Sequence, residues 1–237
     1  MNTTIDRIRP WLDGAATLAM LVAAIFILSG SWRGPAIGGP PPPPPPDGED
    51  ISAEGLTVPL DPLQRAGSSS AKVALIEFAD FECPYCANYV RTVFPQVRSD
   101  LIEKGLVAYA FMHYPLDQIH KKARPAAIAS VCAAKQGRFW EMHEVLFQSA
   151  GMLPAPATLA GGSFQGFDLA AFNECSRRPD DVVSAQLAEG NRLGIRGTPT
   201  LLVGEIRSDG QVDIKRRFVG AASFEAIAVA VKAGGKS

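Results

Sequence analysis

The sequence predicts an α/β domain built as βαβ, a helical block and then ββα, preceded by an N-terminal transmembrane helix. Three observations predict it. Val73 to Ala79 is an unbroken apolar run of strand length that hands over to Cys83-Pro84-Tyr85-Cys86. From Ala123 to Leu193, apolar residues recur at helical spacing. Thr200 to Val203 and Gln211 to Val219 then return to strand character on either side of a Ser208-Asp209-Gly210 turn. With 237 residues, 47% of them hydrophobic, the chain holds one domain of ordinary size plus extensions.

The formal net charge of −1 gives no basic surplus for a nucleic-acid partner. Four cysteines are too few for a disulfide-stapled scaffold. They fall as one tight pair, Cys83 and Cys86, and two distant singles, Cys132 and Cys175.

Residues 1–13 read as a cytoplasmic N-terminus. Gly14 to Trp32 carries no charge, and Leu18 to Leu28 is apolar throughout. Trp11 and Trp32 flank the run like an aromatic belt. At about 1.5 Å per residue, the stretch between them spans roughly 32 Å, a bilayer's hydrocarbon thickness. Arg7 and Arg9 precede it and acidic Asp47, Glu49 and Asp50 follow, so the positive-inside rule keeps the N-terminus cytoplasmic. The alternative is a cleaved signal peptide, for which Ser29-Gly30-Ser31 is a weak small-residue site.

Residues 33–70 read as a Pro-rich flexible linker, with seven consecutive prolines from Pro40 to Pro46. At about 3.1 Å per residue, polyproline II adds roughly 22 Å of stalk. A proline-motif docking site is the alternative function of the run.

The body, residues 71–237, opens with strand Val73 to Ala79. A helix runs from the Cys pair to about Arg98, and Leu106 to Met112 is a second strand. The helical block holds Ala123 to Lys135, Phe139 to Phe147, Phe167 to Cys175 and Asp180 to Leu193. A last helix runs from Ser223 to about Lys232.

The Cys pair carries the chemistry. A strand-to-helix handover places Cys83 at a helix N-terminus, where free amides and the helix dipole stabilise a thiolate. Pro84 falls in the first turn, where its missing N–H costs nothing. Cys86 lies on the same face one turn deeper, which leaves one sulfur exposed and acidic and the other shielded. That asymmetry suits a dithiol shuttle, which needs no further cofactor. A structural disulfide and half of a zinc site are the alternatives. Zinc wants a second close pair of ligands, and Cys132, Cys175, His113, His120 and His143 are scattered. Glu77 sits in the apolar strand, where a buried carboxylate facing the pair can take the proton of Cys86. An outward-facing Glu77 on an edge strand is the other reading. Gly197-Thr198-Pro199-Thr200 precedes the third strand, where proline is permitted.

These segments resemble the DsbA-like thiol-disulfide oxidoreductases of thioredoxin-like fold. The resemblance rests on E-F-A-D-F-E-C-P-Y-C (Glu77 to Cys86), Y-P-L (Tyr114 to Leu116) and C-A-A-K-Q-G-R-F-W-E-M-H-E-V-L-F (Cys132 to Phe147). It continues through Phe172 to Cys175 and G-I-R-G-T-P-T (Gly194 to Thr200), in the family's order. It implies a thioredoxin-like fold whose helical insertion covers about residues 115–196. It implies that Pro199 is a cis-proline facing the disulfide and that Thr198 offers backbone to a substrate peptide, with Pro84 and Tyr85 beside it. It also implies a second, structural disulfide between Cys132 and Cys175. The Pro84-Tyr85 dipeptide differs from the Pro-His of the best-known oxidases and is more typical of glutaredoxins.

Among the remaining residues, His113 and His120 are candidates to tune a thiolate, with His120 read as a helix start. Phe139, Trp140 and Met142 read as helical core. Lys121, Lys122 and Arg124 read as a solvated helix start, and Arg216 and Arg217 as a solvated strand edge.

The sequence therefore predicts an enzyme, a thiol-disulfide oxidoreductase forming disulfides in extracytoplasmic, cysteine-containing proteins. Cys83 exchanges, Cys86 resolves, Glu77 relays protons and Pro199 shapes the site. A membrane redox partner would regenerate the disulfide. The alternatives are an anchored reductase or isomerase, and a non-enzymatic module that binds a metal such as copper or a partner. No Met-rich or His-rich tract supports copper.

Overall fold

The computed structural model describes residues 49–60, 64–155, 159, 161–178 and 181–235. The predicted cytoplasmic N-terminus, transmembrane helix and proline run lie outside the described residues. Among the described residues no helix is long and apolar enough to cross a membrane.

A six-stranded sheet orders the domain as β1-β6-β5-β3-β4-β2. β3 is Val73–Ala79, and all of its residues are buried. It is an inner strand covered on both faces, which is why it reads as a continuous apolar run instead of an alternating one. β4 (Val107–His113) pairs with it in parallel, and β5 (Thr200–Ile206) pairs with its other edge antiparallel. β6 (Gln211–Val219) follows β5 through the predicted turn. The helical block lies in sequence between β4 and β5. It comprises α3 (Ala123–Ala134), α4 (Phe139–Gln148), α5 (Leu169–Ser176) and α6 (Asp181–Arg192).

Side chains alternate across the sheet, so each face builds its own core. Leu75, Ala79, Tyr109, Phe111, Leu201 and Phe218 face one cluster with the first helices and Phe139, Met142 and Leu146. Ala74, Ile76, Phe78, Met112, Leu202 and Ile214 face the other with Tyr114, Leu193 and Ile195. Burying one such Phe or Leu contributes roughly 1.5–3 kcal/mol before entropy is counted.

Four sequence expectations are corrected. Residues 33–70 are not all linker: β1 (Glu49–Pro59) pairs antiparallel with β6, and β2 (Arg65–Gly67) pairs with β4. β1 carries acidic residues, Gly55 and Pro59, so no apolar alternation announces it; β6 supplies its ladder from far along the chain. Arg216 and Arg217 consequently lie on an inner strand instead of an edge; Arg216 is solvent-exposed as expected, whereas the half-buried Arg217 guanidinium donates to the Leu193 carbonyl at 2.6 Å. The helix after the Cys pair does not run unbroken to Arg98. It divides into α1 (Pro84–Thr92) and α2 (Phe94–Val97), followed by a π turn over Arg98–Ile102. Pro95, in the first turn of α2, has no N–H to continue the ladder. His120 does not begin a helix; α3 starts at Ala123.

β5 also runs beyond the predicted Val203. Gly204 allows this, because a Cβ there would meet the Asp213 carbonyl oxygen at 2.4 Å, across a register shift with β6. α7 (Phe224–Gly234) closes the fold, its N-terminus capped by Ser223 accepting from the Ala226 N–H.

Candidate active site

The turn after β3 is held by one carboxylate. Asp80 accepts from the Glu82 N–H at 2.7 Å, from the Leu116 N–H at 2.8 Å and from His120 Nδ1 at 2.9 Å. The Cys83 N–H donates to the Asp80 carbonyl at 3.1 Å. Cys83 is thereby fixed as the N-cap of α1, with extended backbone, Pro84 in the first turn and its carbonyl taking the Ala87 N–H at 3.0 Å. Sequence reasoning missed the Asp80 and His120 anchor; its only sequence signal is an acidic residue between an apolar strand and the Cys pair.

The Cys83 thiol donates to the Thr198 carbonyl at 3.3 Å, where the Thr198–Pro199 peptide bond is cis. This brings together Cys83, Cys86, Pro84, Tyr85, Thr198 and Pro199. The expected contrast in exposure is smaller than predicted. Cys83 is 4% exposed and Cys86 is 0%, because the Thr198 backbone covers the first sulfur. Tyr85 beside them is 44% exposed.

Electrostatics separate the two sulfurs far more than exposure does. The Cys86 thiol next to Cys83 lowers the Cys83 pKa most strongly. Burial opposes it, and the Thr198 side chain and the backbone amides of Cys86 and Tyr85 add to it, bringing the thiol down to about 6. Among the described residues the Thr198 hydroxyl has no partner beside the neutral thiol, and it can turn to a thiolate. Cys86 is pushed the other way, well above an ordinary thiol, by burial and then by the neighbouring Cys83 and Glu77 charges.

Glu77 is fully buried on the sheet face shared with Leu75 and Ala79. Tyr109 donates its hydroxyl proton to Glu77 Oε2, whereas Oε1 has no partner among the described residues. Burial raises its pKa, the Tyr109 bond opposes the rise and the Cys83 charge adds to it, giving about 8. An outward-facing Glu77 is thus excluded. Tyr109 was missed as a site residue. Its signal was the period of two in β4, which sets Val107, Tyr109 and Phe111 on one face.

The other candidates lie elsewhere. His113 Nε2 stands 3.1 Å from both Gln64 Nε2 and Ser130 Oγ. His143 is packed among Phe81, Phe111, Trp140 and Phe147. Burial holds both imidazoles neutral, lowered to about 3. Cys132 of α3 and Cys175 of α5 are joined as a disulfide, Cα atoms 5.8 Å apart.

A family model described as Thioredoxin matches residues 62–217. This chain belongs to the thioredoxin family. Its form of the thioredoxin fold is DsbA-like, with the helical insertion between β4 and β5. The crystal structure of Pseudomonas aeruginosa DsbA2 aligns with a TM-score of 0.59 at 22% identity, covering 73% of this chain and 94% of that one. Disulfide bond formation protein D of Bacillus subtilis is 36% identical over 85 residues, which are 35% of this chain and 37% of that protein. A Na(+)/H(+) antiporter NhaA 3 of Salinispora tropica is 35% identical over 164 residues, 68% of this chain. This thioredoxin-family chain spans only 24% of that antiporter's length.

Proposed function

We propose that this protein is a thiol-disulfide oxidoreductase that forms disulfides in cysteine-containing proteins outside the cytoplasm. The observation that carries the reading is the opposite displacement of two adjacent thiols, Cys83 to about 6 and Cys86 well above its ordinary value. In the oxidised form a substrate thiolate attacks Cys83 Sγ. The Cys83–Cys86 bond breaks, and its electron pair and a proton go to Cys86. A second substrate thiolate then attacks the first substrate sulfur, and Cys83 departs as a thiolate. A low-pKa thiol is a good leaving group, which favours oxidation over reduction.

Glu77 gives and takes the Cys86 proton. The cis-Pro199 loop presents Thr198 backbone to the substrate peptide, while Pro84 and Tyr85 flank the exchanging sulfur. The apolar run of residues 14–32 tethers the domain to the membrane, the domain lies on the extracytoplasmic side and a membrane redox partner restores the disulfide.

Non-reducing gels of two variants test the reading. Cys86→Ser should accumulate mixed disulfides between Cys83 and client proteins that collapse on adding reductant, and Cys83→Ser should trap few. Equal trapping by both would overturn the roles, and none by either would overturn the enzyme.

A further inference from the structure

We propose that Tyr109 is the positioning residue of the proton acceptor: its hydroxyl donates to buried Glu77 and sets the pH at which Cys86 becomes an attacking sulfur. The inference rests on the oxidoreductase reading and adds a residue to it.

A carboxylate inside an apolar core is stable only in so far as donors meet it. Glu77 is flanked in its sheet by Phe111 of β4 and Leu201 of β5, neither of which can donate. From β4, Tyr109 supplies the hydrogen bond to Oε2, while Oε1 has no partner among the described residues. From α1, the titratable groups facing this carboxyl are Cys83, Cys86 and Tyr89. Tyr89 is fully buried, and its hydroxyl has no hydrogen-bond partner among the described residues. Phe94 of α2 and Trp140 of α4 pack on the Tyr109 ring, with centroids at 4.9 and 5.8 Å, and hold its hydroxyl toward β3.

The arrangement has a chemical consequence. When Cys86 attacks a mixed disulfide at Cys83, the Cys86–Cys83 bond forms and the bond to the bound sulfur breaks. That sulfur leaves as a thiolate, and the Cys86 proton passes to Glu77. The step needs Glu77 ionised. Burial opposes ionisation and the Tyr109 hydroxyl favours it, while Cys83, bonded in the mixed disulfide, carries no charge at this step. Without that hydroxyl the carboxyl holds its proton to higher pH.

The test uses the protein carrying a preformed adduct of glutathione on Cys83. Glutathione release is followed against pH by stopped flow. In the wild type the rate should rise through one inflection, and Glu77→Gln should abolish that inflection. Tyr109→Phe should move it upward by about one pH unit or more while leaving the plateau rate unchanged, as expected for loss of a hydrogen bond to a charged group. 3,5-Difluorotyrosine at position 109, a stronger donor of nearly the same shape, should move it downward, and this variant carries the test if the Phe variant does not fold. An unmoved inflection in both variants, or a rate lowered equally at every pH, would overturn the inference and leave the oxidoreductase reading standing. Failure of any adduct to form at Cys83 would overturn both.

Discussion

The Sγ of Cys83 lies 3.3 Å from the carbonyl oxygen of Thr198, a residue 115 positions farther along the chain. The sulfur is thus covered by backbone from a distant loop, while the backbone amides of Cys86 and Tyr85 favour its thiolate.

This stabilised thiolate should make the disulfide oxidising. With Cys83 lowered from 9.0 to about 6, ionisation at pH 7 favours the reduced form by about 1.4 kcal/mol, or about 30 mV. The potential should lie above thioredoxin's roughly −270 mV. In Glu77→Gln, where this thiol titrates without the carboxyl, the potential should fall about 59 mV per pH unit below pH 6 and about 30 mV above it. Equilibration with glutathione buffers measures both. A value at or below thioredoxin's would point to a reductase.

Glu77 should make the reduced protein less stable as pH rises. Its carboxyl is raised from 4.5 to about 8 in the folded state, so between those values the native state binds more protons than the unfolded one. Stability therefore falls across that window, by a few kcal/mol in all. Cys83 acts oppositely: its lowered pKa means that the unfolded state binds more protons between about 6 and 9.0, and stability rises there. Urea unfolding of reduced Glu77→Gln should accordingly show stability increasing from pH 6 to 9. Reduced Cys83→Ser should show it decreasing from pH 6.5 to 8; below 6.5 the buried, neutral His113 and His143 act in the opposite direction, because the unfolded state binds their protons. A flat profile in either variant contradicts the assignment.

The Cys132–Cys175 disulfide should be structural. It links α3 to α5 across a separation of 43 residues, a loop whose closure contributes about 4 kcal/mol in the chain-entropy model. Replacing both residues with Ala should lower stability by about 2–4 kcal/mol and leave trapping at Cys83 intact. After mild reduction, mass spectrometry should find only Cys83 and Cys86 alkylated. Simultaneous alkylation of all four cysteines would refute an inert bond.

The domain should be tethered outside the cytoplasm. Protease added to spheroplasts should remove it and leave a membrane-bound stub containing residues 14–32. Protection of the domain, or its release as a soluble mature form, would reject that topology.

The sequence by itself determined the parts whose signal is local. Val73–Ala79 declared a buried inner strand because both of its faces are covered, and Cys83-Pro84-Tyr85-Cys86 declared a redox helix start because Pro84 and the free amides act within one turn. The helices of the insertion followed from apolar spacing for the same reason. Tertiary structure decided what depends on residues far apart in the chain. β1 is a strand only because β6 offers it a ladder, and the exposure of Cys83 depends on the Thr198 backbone. Asp80 becomes an anchor only when Leu116 and His120 reach it, and Glu77 acquires its donor only through the β3–β4 register that sets Tyr109 on its face. Hydrogen bonds and desolvation act over a few ångströms of space, and a one-dimensional pattern records such proximity only where neighbours in space are also neighbours in the chain.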